Sequence, residues 1–316
     1  MKKQFLLILT SLLAIAKASA QDCCYTNSGT DCFGFEAVLL YDIGGGYRQD
    51  YINWKTYPVS DPGTVIQEQW KKLQIGIVET NAQFLVCDHY LARLDFDYGW
   101  FQDGGNQTVS HHNIDMHELT EKLKSETRGR VYNIDGSVGY QFNFCDYRYA
   151  ITPLVGYSYH FQKLKNDNYR NQLVNAKLPN SKEKFKNNYT YRWRGPTLGF
   201  ITAYQIDPYW QVNFMYTYHW VRFRGKIIES FVERSLTGFQ KSNRGYGNEF
   251  TLGTTYEFCP DWLLGLKVDY KLFYGHGGSY KTEQVVGLFT DDKVVSPLRD
   301  LRWTSVNATI DVMYIF

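Results

Sequence analysis

The residues best able to do chemistry are a carboxylate pair, a group of histidines and six cysteines. Asp95-Phe96-Asp97 sets two carboxylates two residues apart, so any strand presents both on one face. Carboxylates activate water only when a base and its orienting partner face them. Asp103, His111, His112, Asp115 and His117 gather in the next polar stretch, without an Asp-x-Asp spacing. The stretch from Gly225 reads Lys226-Ile227-Ile228-Glu229-Ser230 and offers no histidine. No base-and-orienter pair faces the carboxylates in these stretches, so no catalytic residue is assigned and the chain is expected not to be an enzyme. No His-Cys grouping has the spacing of a zinc set, so no metal is expected. His111-His112 reads as a pair of solvated loop histidines. Gly275-His276-Gly277-Gly278 lacks the Lys-Ser/Thr and the helix of a phosphate loop. No cofactor is expected.

The cysteines are Cys23, Cys24, Cys32, Cys87, Cys145 and Cys259. The last three each sit in a short turn: Cys87-Asp88-His89-Tyr90, Cys145-Asp146-Tyr147 and Cys259-Pro260-Asp261-Trp262. Asp and Pro already account for the turns, and Ile206-Asp207-Pro208-Tyr209 makes one without cysteine. Two uses of the thiols stay open. They bridge within the chain, where six allow fifteen full pairings, or they cross-link to envelope partners or to further copies.

The elements that must position these groups are strands. Tyr132, Ile134, Val138, Tyr140, Phe142 and Phe144 alternate with Asn133, Asp135, Ser137, Gln141 and Asn143. Similar runs are Leu94–Trp100, Tyr149–Phe161, Val212–Trp220, Phe250–Tyr256, Leu264–Leu272 and Ala308–Phe316. Period-2 alternation marks a strand with two unlike faces. Short turns at Val86–Tyr90, Cys145–Arg148, Ile206–Tyr209 and Phe258–Asp261 alternate with long connections at about Lys55–Lys72, Gln102–Gly129, Asn166–Asn188, Gly225–Tyr246 and Gly275–Asp300. With a first strand near Phe35–Trp54 the count is about ten. Short periplasmic turns and long outer loops are the pattern of an outer-membrane barrel, and closure leaves no sheet edge in lipid. The expected fold is all-β, a transmembrane antiparallel barrel over 34–316. All six cysteines then lie at its periplasmic rim. Phe316, ending an alternating strand, resembles the signal read by the barrel assembly machinery.

The chain opens with Lys2 and Lys3, an apolar run from Phe5 to Ala16, and Ala18-Ser19-Ala20. This is the order of a secretory leader cut after Ala20, leaving a periplasmic cysteine-bearing arm over 21–33. The apolar run is too short for a membrane helix, which needs roughly 20 residues. The formal net charge is +2, from 34 basic and 32 acidic residues. Removing Lys2, Lys3 and Lys17 leaves 31 minus 32, or −1, so no basic excess points to nucleic acid. The expected location is the outer membrane, with its lipid as the first partner.

Segments such as Tyr132-Asn133-Ile134-Asp135-Gly136, Gly156-Tyr157-Ser158-Tyr159 and Pro196-Thr197-Leu198-Gly199-Phe200 make the chain resemble the omptins, ten-stranded outer-membrane proteases. Omptins carry an Asp-x-Asp pair on the second outer loop and an Asp-x-His pair on the fourth; neither is present here, so the resemblance implies the barrel and not the proteolysis. The cysteine-bearing turns, the Cys23-Cys24 start and the 26 tyrosines resemble the Protochlamydia outer-membrane proteins of amoeba-associated chlamydiae. That resemblance implies an abundant porin-like envelope protein in a disulfide-stabilised wall. The inward candidates are Arg93, Asp95, Asp97, Asp135, Glu249, Glu257, Lys267, Asp269, Lys271 and Asp311. Their mixed charge would line a narrow path for small solutes or ions. Ten strands lie near the number that side chains alone fill, so the pore is expected to be small or nearly closed. A non-conducting structural or adhesive barrel, working through long loops such as the one holding Lys182-Glu183-Lys184, is the alternative.

Overall fold

A computed structural model describes residues 37–58, 64–114, 117–145, 148–173, 182–183, 186–230, 235–286, 289–290 and 294–316. The proposed leader, the arm and Cys23, Cys24 and Cys32 lie outside the described residues.

Ten long antiparallel strands form one closed sheet. They are β1 (Ala37–Thr56), β2 (Val65–Val86), β3 (Tyr90–Ile114), β4 (His117–Tyr140), β5 (Tyr149–Leu173), β6 (Lys186–Gln205), β7 (Trp210–Ser230), β8 (Ser235–Cys259), β9 (Trp262–His276) and β10 (Val294–Ile315). Each pairs with its sequence neighbour, and β1 pairs with β10 from Leu40↔Ile315 to Thr56↔Leu298. The amide of Phe316 donates to Leu39 O at 2.9 Å, so the last residue helps lock the seam. A turn at Gly277 (φ 60°) interrupts the ninth strand, which resumes as a short strand, Gly278–Val286, between β8 and β10. The positive φ there suits glycine.

The short turns fall where the sequence puts them. Cys87 and Asp88 both take positive φ to reverse the chain. In the β6–β7 turn the Asp207 carboxylate accepts the amides of Tyr209 and Trp210, both at 2.8 Å.

The outer surface carries an apolar band between two aromatic girdles. Leu94, Ile134, Val155, Leu198, Leu252, Leu266 and Ile310 are exposed in the band. Tyr90, Tyr140, Tyr204, Trp210 and Trp262 rim it below; Tyr47, Trp100, Tyr157 and Trp220 rim it above. Ten residues of β3 separate Tyr90 from Trp100, and ten of β7 separate Trp210 from Trp220. At about 3.3 Å per residue and roughly 40° tilt this spans about 25 Å, the height of a lipid-facing band.

The strands do not stop at the upper girdle. β3 continues from Trp100 to Ile114, so the barrel wall stands well clear of the membrane. The described residues of the long connections expected from sequence are therefore mostly strand. Above the girdle the two faces exchange character. On β6, Tyr189, Tyr191 and Trp193 point inward and are fully buried, while Arg192 and Arg194 point outward. On β7, Val221, Phe223 and Ile227 are buried between outward Arg222, Arg224 and Lys226. Lipid outside favours apolar residues outside. Water outside favours them inside, and the upper barrel has an ordinary aromatic core.

Candidate functional site: a charged lumen under an aromatic layer

The lumen has three levels. The lowest is a polar cavity of about 340 Å³ towards the short turns, lined by Asp42, Asn81, Gln141, Gln211, Asn213 and Asp311 among others. Period-2 alternation delivers these side chains inward because lipid holds their neighbours outward.

The middle level holds most of the charges. Arg93, Asp95, Asp97, Asp135, Glu249, Lys267, Asp269 and Lys271 surround one small cavity of about 50 Å³. Arg93 grips Asp95 through two hydrogen bonds, Nε to Oδ2 at 2.8 Å and Nη2 to Oδ1 at 2.7 Å. Asn81 also donates to Asp95. Lys267 Nζ reaches Glu79 Oε1 at 2.7 Å, and the Thr309 hydroxyl donates to the same oxygen at 2.9 Å. Lys271 Nζ reaches Glu249 Oε1 at 2.7 Å from the directly opposite position on the next strand. Asn133 donates to Asp97 at 2.9 Å, and Thr251 donates to Asp269. These side chains come from β2, β3, β4, β8, β9 and β10, and the contact of Lys267 on β9 with Glu79 on β2 exists only because the sheet closes.

Of the ten lumen candidates, eight meet in this cluster. Asp311 lies one level lower, in the periplasmic cavity. Glu257 sits at the lower end of β8, beside the turn, and lines none of these cavities.

Several members were not singled out from sequence. Glu79 supplies the carboxylate to Lys267. Arg48 and Asp50 form a buried two-point pair, 2.7 Å at both contacts, and Gln162 donates to Asp50 at 3.1 Å. Ser158 Oγ stands 2.9 Å from His219 Nδ1, and His219 Nε2 stands 3.2 Å from Glu249 Oε2. Hydroxyl, imidazole and carboxylate in a row is the grouping of a nucleophilic hydrolase. Here Ser158 is fully buried and the adjacent cavity is water-sized, so no acyl group reaches it. The signal for these residues was their polarity on the inward phase, which ranks no one of them above another.

The third level is the aromatic layer. Trp54, Trp70, Tyr189, Tyr191, Trp193, Phe223, Phe273 and Trp303 form a continuous buried cluster across the upper lumen. Trp193 meets Phe223 at 4.6 Å and Phe273 meets Trp303 at 4.8 Å between ring centroids. Arg48 lies 5.3 Å over Trp303, where the charged level touches the aromatic one. His160 packs against both Phe273 and Trp303. Asp95 and Asp97 lie beneath this layer.

Among the described residues, Cys87, Cys145 and Cys259 are free thiols, with Cys145 and Cys259 exposed. His111 and His112 fall on the upper part of β3 and their side chains are outside the described ones, as are Asp115 and Lys184. No group of three or more metal-ligating side chains occurs among the described residues.

The sequence profile of the Protochlamydia outer membrane protein family matches residues 42–316. The chain belongs to that family. It resides in the outer membrane, as the family does and as the girdled barrel requires. No curated protein matches it by sequence. Among solved structures it is similar to the outer membrane protease OmpT from Escherichia coli, with a TM-score of 0.74 at 11% identity, covering 92% of this chain and 100% of that one. Weaker similarity extends to the toluene transporter TbuX from Ralstonia pickettii (TM-score 0.35, 9% identity, 88% and 89% coverage) and to OprG from Pseudomonas aeruginosa (0.32, 8%, 88% and 95%). At such identity the likeness to OmpT is one of fold: a ten-stranded barrel that stands above its membrane band.

Proposed function

We propose that this member of the family is a porin-like barrel of very small conductance, with the charged middle level as its path and the aromatic layer as its constriction. The observation that carries the reading is the charged level itself. A barrel that had only to be filled would gain by placing apolar side chains there, because buried ion pairs seldom outperform well-packed hydrophobic residues. This lumen keeps cations and anions side by side above a 340 Å³ polar cavity. Small ions or polar solutes entering from the periplasm meet both signs of charge, and the rings above decide whether they pass. The protein is not a protease in this reading, and dibasic peptides incubated with it stay intact. The cysteines at the periplasmic turns serve the envelope, bridging to neighbours or to the arm.

The aromatic layer favours a second reading, a shut scaffold that displays its extracellular wall. Conductance in planar bilayers separates the two. Wild-type protein is expected to give small, infrequent steps, and Trp193→Ala/Trp303→Ala larger and more frequent ones. If both proteins are folded and silent, the path is not a path and the scaffold reading stands.

A further inference from the structure

The outward face just above the upper girdle is strongly basic where β6, β7 and β8 adjoin. Arg194 on β6 stands directly opposite Arg222 on β7, and Arg192 opposite Arg224. Arg224 in turn stands opposite Lys241 on β8, and Arg244 opposite His276 on β9. Facing side chains on neighbouring strands have Cβ atoms about 5 Å apart, and like charges so placed destabilise a sheet. Among the described residues, no acidic side chain pairs with Arg194, Arg222, Arg224 or Arg244. Two arginine pairs in register leave a like-charge repulsion that a bound anion would relieve.

The same residues wall a groove of about 720 Å³ on the outer surface. Arg194, Arg222 and Arg244 flank it, and Pro196, Tyr218, Trp220 and Tyr246 make its floor and lower edge. Trp220 and Tyr246 belong to the girdle, two residues below Arg222 and Arg244 respectively. The rings therefore lie at the lipid boundary and the guanidiniums at the height of headgroups. Guanidinium binds phosphate with two parallel hydrogen bonds, which an ammonium does not.

We propose that this groove binds the phosphorylated headgroup of an outer-leaflet lipid, with Arg194, Arg222 and Arg244 on the phosphate and the aromatic floor against the upper acyl chain or sugar. Charge complementarity and the height of the groove on the barrel select this occupant. A soluble anion would need the arginines but not the girdle.

The test is native mass spectrometry of the detergent-solubilised full-length protein mixed with a diphosphorylated glycolipid (lipid A), with phosphatidylcholine, or with inorganic phosphate. Lipid A adducts are expected to survive, and Arg194→Gln/Arg222→Gln/Arg244→Gln to weaken their retention at least tenfold. Lys71→Gln/Lys72→Gln, an exposed basic pair on β2, is expected to leave retention unchanged. Heat-dependent electrophoretic mobility verifies that each variant is folded. If the triple variant fails to fold, Arg222→Gln alone is expected to weaken retention about threefold. Undiminished retention in these variants, or equal retention of phosphatidylcholine, overturns the proposal. Displacement of lipid A by millimolar inorganic phosphate also overturns it, since the site would then be one for free phosphate.

Discussion

Replacing Lys271 with Met probes whether the charged level is dry. Its Nζ lies 2.7 Å from Glu249 Oε1, and both side chains are under 10% exposed (6% and 8%). At an effective dielectric of about 20, that contact carries roughly 6 kcal/mol of attraction before desolvation is counted. Desolvating both ions offsets much of it, but removing one partner leaves Glu249 charged with only His219 beside it. Breaking a buried pair in this way costs about 3–5 kcal/mol. Lys271→Met is therefore expected to lose about that much in urea unfolding of the protein in lipid vesicles. Lys271→Met/Glu249→Gln is expected to recover at least half, because the stranded charge is gone. The double-mutant cycle gives the coupling directly. A loss below about 1 kcal/mol in the single variant is the range of exposed pairs. It would refute the picture of a desolvated cluster and mean that solvent and ions already fill the lumen. Absence of recovery in the double variant would instead place the cost in packing.

Three further outcomes follow from particular contacts. Glu68 lies in the extracellular wall, where burial pushes its carboxyl up to about 7 against the lowering effect of hydrogen bonds from Asn106 and Thr108. The folded chain keeps that proton while the unfolded chain releases it near 4.5, so stability falls as pH rises from about 4.5 to 7 and is flat above. Glu68→Gln removes this contribution and is expected to stabilise the protein at pH 8 by on the order of 3 kcal/mol, read from urea midpoints at pH 5 and pH 8. A Cβ at Gly129 would run into the backbone carbonyl of Lys163 on the neighbouring strand, whereas at Gly45 it meets nothing nearer than 3.6 Å. Gly129→Ala is thus expected to cost about 1–3 kcal/mol and Gly45→Ala close to none; equal effects in the same unfolding assay would contradict the register. On non-reducing gels of isolated membranes, species larger than monomer are expected and should vanish when all six cysteines (Cys23, Cys24, Cys32, Cys87, Cys145 and Cys259) are changed to serine; monomer alone in the wild type would count against cross-linking.

How much of this was legible in the sequence differs by height on the barrel. Within the membrane band the reading was direct. Leu94, Phe96, Tyr98 and Trp100 alternate with Arg93, Asp95 and Asp97, and the structure puts the first set outside and the second inside. Strand number, the short turns at Cys87, Cys145, Asp207 and Asp261, and the closing role of the last strand followed from the same local pattern. Local pattern suffices there because lipid imposes one rule on every residue that touches it.

Above the girdle the same alternation persists with its meaning reversed. Tyr191-Arg192-Trp193-Arg194 looks like any other strand in the sequence, yet its aromatic face turns inward. Nothing local distinguishes it, because the choice depends on whether lipid or water lies outside at that height. Height is fixed by where the girdles fall once ten strands have closed in register. Sheet pairing set Lys271 against Glu249 on the next strand, and closure alone brought Lys267 to Glu79 across 188 residues of chain. The sequence by itself determined an exported barrel with charges on its inner face. The tertiary structure alone decided that those charges pair beneath a layer of aromatic rings, because only a closed lumen brings opposite walls into contact.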